Sequence, residues 1–159
     1  MVTSQSLKEL FDEKADQIQQ LASSLSEERA KQRPAGGEWC VREVLYHLSG
    51  DVDETFLDGI NRFVNEDKPE LPLTPGDLYL TPEREKAPVK QLAASVADQY
   101  RELGEYVAGL SDEALGRIGR IGFLKQARGN DELTLAEWVG LIANYHLNLH
   151  IDQLRALTQ

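Results

Sequence analysis

Apolar residues recur at the spacing of one helix face in four long segments of the chain. The first segment spans about residues 6–25 and the second about residues 41–64. The third runs from Pro88 to about residue 110, and the fourth runs from Thr134 to near the C-terminus. A short helical turn is also expected in SEERAKQ, just after the first segment. The pattern therefore predicts an all-α fold.

The connection between the second and third segments is long and rich in proline. It holds five prolines within residues 65–88, which is too many for a regular helix. A connection of that length can cross the length of a bundle, whereas a short one forces neighbouring helices to be antiparallel. We therefore predict a four-helix bundle that forms a single domain over residues 1–159, with a long crossover at about residues 66–87.

The two halves of the chain are similar to each other. KELFDEKADQIQQL (residues 8–21) aligns without gaps to KQLAASVADQYREL (residues 90–103), with six identical positions of fourteen. Each half also has a Glu-Trp pair, with a histidine eight residues beyond the tryptophan. An internal duplication of a helical hairpin explains these matches, and ordinary convergence of amphipathic helices is the alternative. The duplication pairs three residues of the second helix, His47, Asp51 and Glu54, with His146, His150 and Gln153 of the fourth.

The charge balance narrows the range of partners. The chain has 17 basic and 27 acidic residues, for a formal net charge of −10. Such a negative field repels phosphate backbones, so we expect no binding to nucleic acid. The single cysteine, Cys40, excludes an intramolecular disulfide framework and fits a reducing cytosol. Because the sequence shows no signal-peptide pattern and no membrane-length apolar stretch, we expect a soluble cytoplasmic protein without a membrane partner.

All three histidines of the chain fall on the second and fourth predicted helices. His146 and His150 are one turn apart and share their face with four apolar residues, Leu135, Val139, Ile142 and Leu149. Burying two imidazoles without polar partners is costly, and a metal ion removes that cost by binding their neutral nitrogens. His47 can supply a third nitrogen. We therefore predict a metal site at these three histidines; the alternative is a set of hydrogen-bonded core histidines.

Several polar residues near the histidines are candidates for supporting roles. Three protein ligands leave a coordination position open, which is typical of catalytic rather than structural sites. Asp51 is interpreted as a fourth ligand, an acceptor for a ring N–H or a general base, with a solvated surface acid as the alternative. Glu54 and Gln153 are weaker candidates for hydrogen bonds to the ligands. Imidazole suits zinc, nickel, copper or iron(II), so ligand type alone does not choose the metal.

Other residues receive mainly structural interpretations. Cys40 lies roughly 10 Å along the helix from His47, too far to bind the same ion, so a packing or weak capping role is predicted. Trp39 and Trp138 are interpreted as core anchors at the helix starts. Tyr79 and its proline-rich loop either cover the mouth of the site or form an ordered crossover.

Two motifs resemble those of a known family. WCVREVLYHL (residues 39–48) and HLNLHIDQL (residues 146–154) look like the two motifs of the DinB/YfiT-like family of metal-dependent bundle proteins. The resemblance covers essentially the whole chain. It implies a four-helix bundle with up-down-down-up connectivity, homodimers as a common assembly, and a metal bound by His47, His146 and His150.

The same resemblance implies a function. Members of the family include thiol S-transferases that use bacillithiol or mycothiol, and a mycothiol-dependent isomerase. We therefore expect a metal-dependent enzyme acting on a small molecule. The favoured chemistry is transfer to a low-molecular-weight thiol, like that of glutathione S-transferases. Metal-assisted hydrolysis with Asp51 as base is the variant. The expected metal is zinc or nickel, and iron also fits. The alternatives are a non-catalytic stress-response protein that binds a metal or small ligand, and a metal-free bundle that acts through its surface.

The chain departs from the family pattern at two places. Leu-His-Ile-Asp-Gln at residues 149–153 replaces the His-His-Arg-Gly-Gln of many relatives, and Cys40 replaces a small hydroxyl residue. Both changes leave the three histidines intact. They leave the substrate and the thiol unassigned.

Overall fold

The structure is a computed structural model that describes residues 2–159. Its α-helices are α1 (Ser4–Ala22), α2 (Glu27–Lys31), α3 (Val41–Ser49), α4 (Phe56–Asn65), α5 (Pro82–Lys86), α6 (Val89–Ala108), α7 (Asp112–Leu115), α8 (Leu124–Arg128), α9 (Leu135–Gly140) and α10 (Leu147–Thr158). A π-helical segment, Leu141–His146, joins α9 to α10 and makes them one long helix, which we call the C-terminal helix. The strands are β1 (Glu70–Leu71), β2 (Ile118–Ile121) and β3 (Glu132–Thr134).

Four helical segments form the body of the molecule. The helix α1 packs along α6, α3 packs against α6 and α10, and α1 also contacts the C-terminal helix. One continuous apolar core lies between them, and Phe11, Ile18, Leu45 and Tyr100 are fully enclosed in it. The predicted all-α four-helix bundle is therefore confirmed. The up-down-down-up direction pattern and the internal duplication stay predictions.

The second predicted helix is interrupted, so the prediction of one helix over residues 41–64 is wrong. Gly50 ends α3 with a φ of 72°, a left-handed backbone conformation that favours glycine. Thr55 then begins α4 as its N-cap, and Thr55 and Asp58 cap each other's backbone amides. Because residues 50–55 are not helical, Asp51 does not follow His47 on the same helix face.

The crossover between α4 and α6 is ordered and is held by two arginines. The buried Arg42 donates hydrogen bonds from its Nη2 to the backbone carbonyls of Arg84 and Glu85, at 3.1 and 2.9 Å. Arg84 in turn donates to the carbonyls of Gly50 and Tyr79, at 2.7 and 2.6 Å. These bonds fix the crossover against both the start and the end of α3, which is the helix that carries His47.

A small sheet, which the helical pattern did not predict, lies at one end of the bundle. Strand β2 pairs with β1 in parallel and with β3 in antiparallel register. A Cβ atom at Gly119 would lie 2.5 Å from the Phe63 ring, so only glycine allows this contact with α4. Strand β3 ends at Thr134, which forms the predicted capping box with Glu137. The sheet thus fixes the start of the C-terminal helix.

The C-terminal helix differs from the predicted face at one residue. Leu135, Val139, Ile142 and His150 are buried as expected, but Leu149 is 55% exposed, so its predicted inward position is wrong. The π-helical segment accounts for the shift, because the Leu147 amide donates to the Ile142 carbonyl five residues back. The wider turn rotates the helix, and Leu147 and Ile151 pack into the core.

Candidate metal centre

The three histidines converge between α3 and the C-terminal helix. One nitrogen from each of His47, His146 and His150 lies within 4.8 Å of the others. The Nε2 atoms of His47 and His146 are 3.0 Å apart, and the three ring centroids are 4.6 to 5.1 Å apart. Two nitrogens bound tetrahedrally to one zinc ion at about 2.0–2.1 Å would be roughly 3.3 Å apart. The spacing therefore suits a shared ion.

The far nitrogens of two imidazoles are held by hydrogen bonds. His47 donates from Nδ1 to the carbonyl of Asp77 in the crossover, and His150 donates from Nδ1 to Oε1 of Gln153 at 3.0 Å. Both acceptors are oxygens, so each Nδ1 carries the proton and each Nε2 has a lone pair; that of His47 lies 3.0 Å from Nε2 of His146. Metal-binding histidines are oriented and made more basic by such bonds. The weak sequence-based candidate Gln153 thus contacts a histidine, whereas the contribution of Asp77 was not predicted.

His146 differs from the other two histidines because its far nitrogen has no partner. Its Nδ1 is buried and makes no hydrogen bond within residues 2–159. An unpaired buried polar atom costs about 1–3 kcal/mol, so this imidazole needs compensation from another source. A cation bound by the cluster would provide it.

All three imidazoles are held in the neutral form. Burial lowers the pKa of His146 to about 3, with smaller contributions from the nearby His150 and His47. Burial also lowers the pKa of His47 and of His150, against the opposing effects of their oxygen acceptors. Metal binding requires deprotonated ligands, so at neutral pH these nitrogens are ready to bind a cation without first losing a proton.

Aromatic side chains pack against the histidines. Trp39 stacks on His150 at 6.3 Å between ring centroids and tilts against His47 at 5.1 Å. Tyr79 from the crossover stacks on His47, with ring centroids 5.9 Å apart. Trp39 is only partly buried. It packs against the apolar core and also contacts the rings of His47 and His150. Its position just before the N-cap of α3 was visible in the sequence, but the direction of its side chain was not.

The acidic and thiol candidates lie outside the group of nitrogens. Asp51 is exposed in the loop after α3, where its Oδ1 accepts the backbone N–H of Asp53. Glu54 forms an ion pair with Arg62 at 2.7 Å rather than a bond to a histidine. Cys40 is buried at the start of α3, and burial raises the pKa of its thiol, which agrees with the predicted packing role.

A cleft adjoins the histidine cluster. Its wall includes Asp51, Glu54, Phe56, Tyr79 and Trp138, and its volume is about 30 Å³. Tyr79 also stacks on His47, and the Phe56 ring lies 6.2 Å from that of His146, so the cleft and the cluster share walls. A small molecule in the cleft would therefore lie beside the three imidazoles.

The residues present fit a divalent transition metal. One nitrogen from each of three neutral imidazoles lies within 4.8 Å of the others, two of the rings are oriented by outer hydrogen bonds, and the third ring has an orphaned atom. Fold and site together define a four-helix bundle protein with a three-histidine candidate metal centre. The chain belongs to the DinB superfamily, whose sequence profile matches residues 10–154.

A solved structure shares the fold. YfiT from Bacillus subtilis, described as a probable metal-dependent hydrolase with an unusual four-helix bundle topology, superposes with a TM-score of 0.77. The two sequences are 16% identical, and the match covers 99% of this chain and 88% of that chain. No curated protein matches the chain with significant sequence similarity. Within residues 2–159, no helix is both long and apolar enough to cross a membrane.

Proposed function

We propose that His47, His146 and His150 bind one divalent transition metal and that the protein is a metal-dependent hydrolase of small molecules. The observation that carries this proposal is the convergence of three neutral imidazole nitrogens within 4.8 Å. The likeness to YfiT, itself described as a probable metal-dependent hydrolase, supports hydrolysis as the reaction class. Zinc or nickel is the proposed metal, and iron also suits three imidazoles.

The bound metal would supply Lewis acidity and lower the pKa of a water molecule towards neutrality. The protein's own residues set the conditions for that chemistry. Asp77 and Gln153 hold two imidazoles by their Nδ1 atoms, so the metal-facing nitrogens are fixed before any ion arrives. Trp39 and Tyr79 cover the rings and exclude bulk water, which strengthens electrostatic interactions inside the site.

Asp51 is the proposed general base. Asp51 lines the cleft beside the cluster, and its carboxylate forms no ion pair within residues 2–159, so we propose that it accepts a proton from water in the cleft. Arg84 keeps this arrangement in place, because it ties the carbonyl of Gly50, next to Asp51, to that of Tyr79.

Thiol transfer is the second candidate function, and the negative charge of the cleft wall limits which thiols could bind there. Many low-molecular-weight thiols carry carboxylates, and Asp51 and Glu54 place negative charge in the wall where such a cofactor would bind. This charge favours hydrolysis over the use of an anionic thiol. A neutral or cationic thiol remains compatible with the site. The activity assays described below also distinguish an enzyme from a protein that only binds a metal or small ligand.

The remaining proposals concern the substrate, assembly, location and partners of the protein. We propose that the protein acts on a small-molecule substrate, forms a homodimer, is located in the cytoplasm and has no nucleic-acid partner. The net charge of −10 supports the last of these, and the single cysteine supports a reducing compartment. Light scattering of the purified protein measures the oligomeric state directly, and a monomer at all concentrations would contradict the homodimer.

A panel of small esters and amides, with a parallel panel of thiols and electrophiles, tests the function. Zinc-loaded and nickel-loaded wild type should hydrolyse at least one class, and Asp51→Asn should be about 100-fold slower or worse. Asp53→Asn is the matched control, since it removes a neighbouring exposed carboxylate that does not line the cleft. Hydrolysis that persists unchanged in His150→Ala would contradict the proposal, and turnover only with thiols would favour the second candidate.

A further inference from the structure

The cleft beside the histidines has an unusual combination of wall groups. Three aromatic rings, Phe56, Tyr79 and Trp138, meet two carboxylates, those of Asp51 and Glu54. No lysine or arginine stands among the described residues that line it. Aromatic faces attract organic cations, and more strongly when carboxylates add to the negative potential and water is partly excluded. The wall is therefore complementary to positive charge.

The positive groups near the cleft do not cancel this charge. Arg62 donates to Glu54 at 2.7 Å but also to Glu66 at 3.0 Å, so two carboxylates share one guanidinium. Arg84 interacts electrostatically with Asp51 while its guanidinium donates to the backbone carbonyls of Gly50 and Tyr79. Three carboxylates, those of Asp51, Glu54 and Glu66, therefore stand against two guanidinium groups. A negative balance thus remains in the wall.

Trp138 gives an independent sign of a missing partner. Its side chain is only 6% exposed, and its indole Nε1 is buried without a hydrogen-bond acceptor within residues 2–159. Leaving an indole N–H unpaired is unfavourable, because the donor has lost its water without gaining a protein acceptor. A bound molecule with an acceptor atom would satisfy this donor.

The size of the cleft limits what can enter it. Its volume is about 30 Å³, and one water-sized group needs about 10–15 Å³ on this measure. The cleft therefore has room for a small head group, such as an ammonium with the short chain attached to it.

From these observations we infer that the cleft is a subsite for a small primary ammonium group with a nearby hydrogen-bond acceptor. Asp51 and Glu54 bind the charge, Phe56 and Tyr79 pack against the alkylammonium, and Trp138 donates to the acceptor. The inference rests on the proposed function in one respect: it names the head group of the substrate that the metal centre would hydrolyse, an amine-bearing ester or amide.

The probe that tests this is the ethanolammonium ion, compared with neutral ethylene glycol and with ethylammonium, which lacks the hydroxyl. Zinc-loaded protein is titrated with each at pH 7, and the indole ¹H–¹⁵N signal of Trp138 is followed by NMR. Only two tryptophans are present, and Trp138→Phe assigns the signal. We expect ethanolammonium to bind about fivefold or more tightly than ethylene glycol, and more tightly than ethylammonium.

Variants locate the subsite and separate it from the metal centre. Asp51→Asn and Glu54→Gln should each weaken ethanolammonium binding by about fivefold, whereas the control Asp53→Asn should not change it. Zinc content is measured on the same samples. Equal binding of ethylene glycol and ethanolammonium to zinc-loaded protein, or binding that survives both substitutions, overturns the inference and leaves the metal function standing. A preference for ethanolammonium in protein that fails to hold zinc supports the subsite and contradicts the metal function.

Discussion

The two helix pairs of the bundle bury different kinds of surface. Between α1 and α6 the buried contact is apolar, and Phe11 stacks on Tyr100 with ring centroids 6.1 Å apart and an angle of 14°. Ion pairs such as Lys8–Glu105 also join the two helices. Between α3 and the C-terminal helix the contact contains three imidazoles and an orphaned nitrogen of His146. The interior of the first pair consists of apolar packing. The second keeps polar groups that packing does not require.

This difference separates stability from function within one small domain. Apolar burial along α1 and α6 stabilises the fold, whereas the imidazole cluster removes polar groups from water at a free-energy cost. The interruption after Gly50, the π-helical segment and the ordered crossover all lie on the side of the cluster. Irregular structure of this kind concentrates where side chains must be placed for chemistry.

The largest effect is expected on the apolar side. Phe11→Ala removes a fully buried ring and should lower the free energy of unfolding by about 3–5 kcal/mol. Urea denaturation of the metal-free protein measures it. The metal affinity of the remaining folded protein should not change. A loss of metal affinity comparable to the loss of stability would show that the two sides are not separable.

On the side of the cluster, Gln153→Leu should act on metal binding and hardly on the fold. It removes the acceptor for Nδ1 of His150, and loss of such a partner typically weakens metal affinity about 10–100-fold. Competition with a zinc chelator gives the affinity. Gln153→Glu keeps an acceptor oxygen and serves as the control. Equal affinities in all three proteins would contradict the role of this bond.

The pH dependence of the metal-free protein should report the buried imidazoles. The folded-state pKa of His146, about 3, lies below its unfolded value near 6.5, so the unfolded chain binds more protons between them. Stability from the neutral imidazole is therefore present above about pH 6.5 and is lost as the pH falls. From pH 7 to pH 5, where carboxylates stay ionised, each buried histidine contributes a slope of up to about 1.4 kcal/mol per pH unit.

His146→Leu makes this test specific. The variant should show a shallower decrease in the free energy of unfolding between pH 7 and pH 5, because one titrating group is gone. Urea denaturation at several pH values, with chelator present, supplies the data. A variant with the same slope as wild type would mean that His146 is not held in the neutral form.

The smallest effect concerns the interrupted helix. Thr55→Ala removes the N-cap of α4 and should lower the free energy of unfolding by about 1 kcal/mol. A continuous helix through residues 50–55 would have no need of the cap. Thermal or urea unfolding of the metal-free variant measures the change, and stability at or above that of wild type would indicate that the helix is not interrupted there.

Much of the bundle was predictable from the sequence because it depends on periodicity and local caps. The four apolar segments, the capping box at Thr134 and the convergence of His47 with His146 and His150 follow from spacing along the chain. The break after Gly50 also had a local signal, since Thr55-x-x-Asp58 has the form of a capping box. That signal was outweighed by the apolar periodicity that continues on both sides.

The remaining features depend on contacts between distant parts of the chain. Asp77 reaches His47 only because Arg42 and Arg84 hold the crossover in place. Backbone carbonyls carry no sequence signal, so this partner could not be predicted. The exposure of Leu149 depends on a single π-helical turn, which helical periodicity does not anticipate.

Elemental analysis of untagged protein tests the central claim most directly. Wild type and His150→Ala are compared as purified and after reconstitution with zinc and with nickel. The three-histidine centre predicts about one transition-metal ion per chain in wild type and far less in His150→Ala, since two imidazoles bind a divalent ion much more weakly than three. Wild type without stoichiometric metal after reconstitution, or a variant that retains as much metal as wild type, would contradict it.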